Sequence, residues 1–180
     1  MIGTSLFIGN EIELTALDPE KDVEVLSTWT SDQEFVKEFM SGSFRPYTAA
    51  EFKKTIVEKI KKANETYGAY YFAIRPIGKP EIIGLLVFGW IWHSQQTGRL
   101  FLFFEDENAL MKFGDEVMQL ALRYSFMELS LHRLWTELSD HNPAKMAIFE
   151  RAGFLRETQR AEALFYDGKH YDQLDYAILK

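Results

Sequence analysis

Asn142 stands where a strand-like run, LHRLWTEL at 131–138, gives way to a helix-like run, NPAKMAIFERAGF at 142–154. Its side-chain oxygen suits a helix N-cap, Pro143 suits the first helical position, and Gly153 suits the helix end. A second junction follows RLFLFF at 99–104, where Glu105, Asp106 and Glu107 place three carboxyls side by side. A carboxylate at a strand end serves as a proton acceptor when a reacting amine is held against it, and as a solvated loop acid otherwise. Phe88, Trp90 and Trp92 recur at period two in IIGLLVFGWIW, which puts three rings on one strand face. Such a stripe suits either an ammonium held by cation–π contact or packing in a core or dimer interface. His93, His132, His141 and His170 lack metal-ligand spacing with acidic partners, so no metal site is expected. Cysteine is absent, which excludes disulfides, thiolate metal sites and a cysteine nucleophile. No nucleophile elbow, phosphate-binding P-loop or dinucleotide fingerprint is present.

The elements that must position these residues follow from the pattern of the chain. At 180 residues it fits one domain over 1–180. With 47% hydrophobic and 26% charged residues it has the balance of a folded soluble protein. No apolar run reaches the ~18–20 residues that span a bilayer, and the first residues lack a secretory-signal order, so a cytoplasmic location without membrane partners is expected. A net charge of −7 disfavours nucleic-acid binding and is compatible with a cationic substrate such as an amine. Alternation through Ile12, Leu14 and Ala16 predicts a strand, and Val23, Leu26 and Trp29 predict a helix. Thr48 with Glu51 forms a capping box that opens a helix to about Asn64. YYFAIR, IIGLLVFGWIW and RLFLFF read as three sequential antiparallel strands. Gly114 is expected to open the next helix. The strand LHRLWTEL, the helix after Asn142, and two strands joined at Asp167-Gly168 complete the order.

That order resembles the GNAT superfamily of acyltransferases over essentially the whole chain, and most closely its branch of ribosomal-protein alanine and spermidine N-acetyltransferases. The residues that carry the resemblance are the N-x-x-x-x-x-x-F-E-x-x-G-F spacing from Asn142, the GDE at Gly114–Glu116, and the terminal D-G-K-x-Y-D. It implies an α+β, mixed α/β fold: the acyl-CoA N-acyltransferase fold, with a central mostly antiparallel mixed sheet flanked by helices. It further implies acetyl-CoA as cosubstrate, no metal, and direct acetyl transfer to a primary amine. The acceptor would be a peptide N-terminus, a polyamine or another small amine, and the family leaves room for a homodimer.

The resemblance assigns cofactor contacts to Leu102, Phe103, Phe104, Ala109, Lys112, Phe113, Gly114, Asp115, Asn142, Lys145 and Phe149. It places backbone N–H donors for an oxyanion near Phe103 and Phe104, and a phosphate-cradling loop ending at Gly114. Ala109 then stands at that loop's Gln/Arg position and Lys112 at its first glycine. Phe149 matches the position of a family tyrosine that protonates the departing thiolate, and Lys145 matches a serine used instead in the alanine-acetylating branch. Glu105, Asn142 and Phe149 are the catalytic candidates, with Glu105 as proton acceptor. The departures at Ala109, Lys112 and Phe149 define the alternative, a catalytically degenerate GNAT-fold binding or regulatory protein.

Overall fold

A computed structural model describes residues 5–40 and 44–180; the leader reading at positions 1–4 lies outside them. Strand β1 (Ile12–Ala16) leads into helix α1 (Val23–Thr28), a 3-10 turn at Trp29–Ser31, the short α2 (Gln33–Phe35) and a wider π-type turn at Val36–Met40. The expected first helix is thus several short pieces, tied at Asp32, whose carboxylate accepts from the Phe35 N–H at 2.7 Å. Helix α3 (Ala49–Thr66) opens on the expected Thr48/Glu51 capping box and runs two residues past Asn64. Next come β2 (Tyr70–Pro76), β3 (Gly84–Trp92), β4 (Thr97–Phe104), α4 (Glu107–Arg123), β5 (Arg133–Ser139), α5 (Pro143–Arg151), β6 (Leu155–Tyr166) and β7 (Lys169–Leu179).

Among the described residues these strands form one seven-stranded sheet in the order β1-β2-β3-β4-β5-β7-β6. All neighbours are antiparallel except β4 and β5, which pair in parallel at only three positions, Thr97–Arg133, Gly98–Leu134 and Arg99–Trp135. Beyond Arg99, β4 stays with β3 while β5 stays with β7, so the sheet splays open between them. One core, with Phe88, Leu100, Val117, Leu134 and Ile148, lies under α4 and α5. A second core, with Phe35, Phe52, Leu85, Val87 and Phe103, lies under α1–α3 on the other face.

Two local expectations are corrected. Phe88, Trp90 and Trp92 do not share a face: a bulge between Gly89 and Trp92 inserts one residue into β3 and puts Trp90 at φ +52°. Phe88 is fully buried in the α4 core, whereas Trp90 is 66% exposed on the opposite side. Gly114 does not open a helix either. Asp106 caps α4, accepting from the Ala109 N–H at 2.7 Å, so the helix starts at Glu107 and Gly114 lies two turns in.

Gly114 is where α4 and α5 touch: an added Cβ would sit 2.9 Å from Ile148 Cδ1 and within 3.3 Å of two further Ile148 carbons. Gly114→Val is therefore expected to destabilise the protein by about 2–3 kcal/mol in urea unfolding, with partial recovery on adding Ile148→Ala. A stable Gly114→Val protein would show that the helices are not packed through this glycine.

Candidate active site

The splay between β4 and β5 is filled by α5 from one side and by the α2–π-turn segment from the other. Asn142 caps α5 as expected, its Oδ1 accepting from the Lys145 N–H at 3.0 Å. That cap fixes the first turn and sends the Lys145 side chain inward, where it is 5% exposed rather than solvent-facing. Its Nζ lies 2.5 Å from Glu34 Oε1 and 3.5 Å from Glu38 Oε2, with the Phe103 ring centroid 5.0 Å away. Glu34 in turn accepts from Asn142 Nδ2 at 3.1 Å and faces His141 Nε2 at 3.4 Å. The two acids are four residues apart, so one turn of helix-like backbone brings both onto Lys145.

Burial alone would raise the Glu34 carboxyl, but the Lys145 charge and the hydrogen bonds from His141, Lys145 and Asn142 together outweigh it and hold Glu34 far below the usual carboxylate range. For Lys145, burial pulls the ammonium down and the two carboxylates more than offset it, so it stays charged above its ordinary value. Glu38 goes the other way: burial, reinforced by Glu34, outweighs Lys145 and Arg99 and pushes it up to about 7.

The cluster separates two spaces. On one side, a cleft of about 950 Å³ runs from Trp29 and Glu34 past Leu102–Glu107 to Asn142 and Lys145. On the other, a cavity of about 210 Å³ is lined by Glu38, Trp90, Arg99, Phe101, Glu137 and Tyr166. Glu38 also reaches a third space of about 490 Å³ between α3 and β3. The wall of the cleft is the free edge of β4. The Glu105 N–H donates to Ile83 O at 2.9 Å, so strand alternation turns the N–H groups of Leu102 and Phe104, not that of Phe103, toward the splay.

The structure brings together Leu102, Phe103, Phe104, Glu105, Asn142 and Lys145 of the expected site. It does not bring Lys112, Phe113, Gly114, Asp115 or Phe149 to the cleft. Lys112 reaches Glu11 at 3.8 Å, Asp115 pairs with Arg151 at 3.0 Å, and Phe149 is fully buried against Phe154. The expected phosphate loop is a helical turn instead: Ala109 N–H goes to Asp106, and the N–H groups of Lys112 to Gly114 lie inside α4. Glu105 is exposed at the cleft mouth, with its carboxyl raised by partial burial and by Asp106. The pattern reading missed Glu34 and Glu38; their only signal is the i,i+4 spacing in EFVKE.

The chain belongs to the acetyltransferase (GNAT) domain family, whose model matches residues 11–155. It is 24% identical over 172 residues to a probable N-acetyltransferase, YjcK, of Bacillus subtilis, covering 95% of both chains. Over 99 residues, 55% of this chain and 57% of the relative, it is 26% identical to spermidine N(1)-acetyltransferase of Vibrio cholerae. The crystal structure of spermidine N-acetyltransferase from Vibrio cholerae in complex with CoA and spermine shares the fold. It superposes with a TM-score of 0.78 at 21% identity, covering 94% of this chain and 95% of that one. The fold expected from the sequence is the fold observed, and acetyl transfer to an amine is the chemistry of the family.

Removing Lys145 strands the Glu34 charge in a buried site. Lys145→Met should cost about 3–5 kcal/mol, and Lys145→Met with Glu34→Leu should regain much of that. Because the Glu34 carboxyl is lowered on folding, this stability is present above its unfolded value near 4.5 and is lost as pH falls through the folded value. The gap between parent and Lys145→Met in denaturant melts should therefore close in acid. A constant gap down to pH 2 would contradict the ion cluster.

Proposed function

We propose that the chain transfers an acetyl group from acetyl-CoA to a primary amine, with Glu38 as the proton acceptor and the β4–β5 splay as the place of transfer. The observation that carries this reading is the position of Glu38: it lines the small cavity and contacts the same ammonium that closes the inner end of the large cleft. The cosubstrate supplies an acetyl group activated as a thioester. The free β4 edge suits its extended arm, since the Leu102 and Phe104 N–H groups point into the splay, where they could stabilise a carbonyl oxygen that gains charge. Asn142 holds the first turn of α5 in place beside that edge. Lys145 keeps a fixed positive charge at the inner end of the cleft, which favours negative charge developing nearby. Its ammonium takes the place of the missing tyrosine at Phe149 as the polar group facing the donor. The mouth, with Glu105, Asp106 and Glu107, would offer the cosubstrate's phosphates no cation among its described lining residues.

The raised carboxyl of Glu38, largely buried beside the cavity, supports that residue over the exposed Glu105 as the base. An alkyl ammonium near pKa ~10 gives its proton to an ordinary carboxylate near 4.5 at a cost of about 7–8 kcal/mol, and to a carboxyl at about 7 at about 4 kcal/mol. Glu38 halves the deficit, and Glu105 is exposed at the mouth. The spermidine-acetylating relative supports an amine acceptor, and a polyamine would present a primary amine to Glu38. The degenerate reading is not favoured, because a polar cluster at the transfer point remains where the family tyrosine and loop are gone.

Since Glu38 must be unprotonated to accept, kcat/KM for an amine should rise with pH through an apparent pKa near 7 and level above it. Glu38→Gln should lower kcat/KM at least 100-fold and remove that limb, whereas Glu105→Gln should change it less than threefold. The reverse ranking, read by CoA release, would reinstate Glu105 as the base.

A further inference from the structure

Arg99 is an unusual occupant of a small cavity. It lies at the last paired position of β4, at the point of splay, and its side chain is 10% exposed. Phe101, Trp135 and Trp90 surround the guanidinium at 4.3, 5.2 and 6.0 Å from their ring centroids, so its plane is held and it cannot swing to solvent. Glu137 takes one end, with Nη1 to Oε2 at 2.8 Å, yet Nε is buried with no hydrogen-bond partner among the described residues. A buried donor left unpaired costs about 1–3 kcal/mol, and few such groups persist in native proteins without a role.

The charges around it are arranged unevenly. Each acid in the cavity wall already has a resident cation: Glu38 has Lys145, and Glu137 has Arg99 and, at 4.0 Å, Arg160. Lys37 also lies in the wall, where it donates to the Phe165 carbonyl. A polycation entering this space meets no unpaired acid and two like charges. An anionic group meets Arg99 with donor capacity unused. The space, about 210 Å³ against about 950 Å³ for the cleft, admits a small molecule.

We propose that the acceptor is a small zwitterion: a primary amine that addresses Glu38, joined through a few bonds to a carboxylate that pairs with Arg99. This rests on the reading of Glu38 as the base and narrows its substrate class. Arg99 is then the residue that sets specificity, and Trp90, swung across the sheet by its bulge, walls the same space.

The test uses the full chain, acetyl-CoA and CoA release. The amines are unbranched amino acids from glycine to 6-aminohexanoate, each paired with its neutral carboxamide, alongside spermidine. At one chain length the carboxylate should exceed its carboxamide at least tenfold in kcat/KM near neutral pH, where the amino acid is zwitterionic; the more acidic ammonium of the carboxamide biases the ratio the other way, so basicity cannot produce the excess. Arg99→Gln should bring that ratio close to one, chiefly through KM. This comparison in the parent protein needs no variant to fold. Ratios near one throughout, or spermidine as the best acceptor, would overturn the zwitterion while leaving amine acetylation by Glu38 standing. No CoA release from any amine, with acetyl-CoA still raising the melting temperature, would overturn both.

Discussion

One ammonium between two carboxylates organises the open half of this sheet. A β4–β5 pair that parts after three residues leaves backbone edges and a gap, and a gap in a protein interior is filled or it collapses. Here it is bridged by a charge: Lys145 from α5 meets Glu34 and Glu38 from the segment between α1 and α3. Removing ions from water is costly, and the closest pair of the cluster persists because both of its members are held by more than one partner: Glu34 by Lys145 and Asn142, and Lys145 by Glu34 and Glu38. The same geometry pulls the two acids apart in acidity. The carboxyl nearer the ammonium is locked as an anion and the farther one is left close to neutral pH, the kind of division by which two carboxyls take different roles.

Helix caps, a bulge and one close helix contact position the cluster. The Asn142 cap sets the first turn of α5, and Gly114 lets α5 approach α4 closely enough for Phe149 and Ile148 to be wholly buried. Asp32 starts α2, which carries Glu34 and then, in the π-type turn, Glu38. The β3 bulge turns Trp90 to the Glu38 side, opposite Phe88. The large cleft and the small cavity are thereby two sides of one charged partition.

Where the sequence was legible, the signal was short-range. The Thr48/Glu51 box, the Asn142 cap with Pro143, and the Asp167-Gly168 turn at φ +48° and +75° each rest on a few adjacent residues. Strand alternation likewise conveyed the sheet, and the spacing around Asn142 conveyed the family. The burial of Lys145 was not legible, because a lysine in a first turn is ordinarily hydrated and nothing nearby in sequence reveals acids more than a hundred residues away. Trp90 misled because one inserted residue reverses the face of a strand. Gly114 misled because a helix-packing glycine and a loop glycine look alike in sequence; only the start of α4 at Glu107 separates them.

The central claim is that Glu38 is a buried carboxyl poised near neutral pH by this partition, and its titration tests that directly. Carbon-13 labelling of the glutamate carboxyls, with assignment through Glu38→Gln, would follow Glu38 in the free protein. The account predicts a midpoint near 7, moving upward in Lys145→Met, since the ammonium that lowers it is gone. A midpoint near 4.5, unmoved by loss of Lys145, would contradict it.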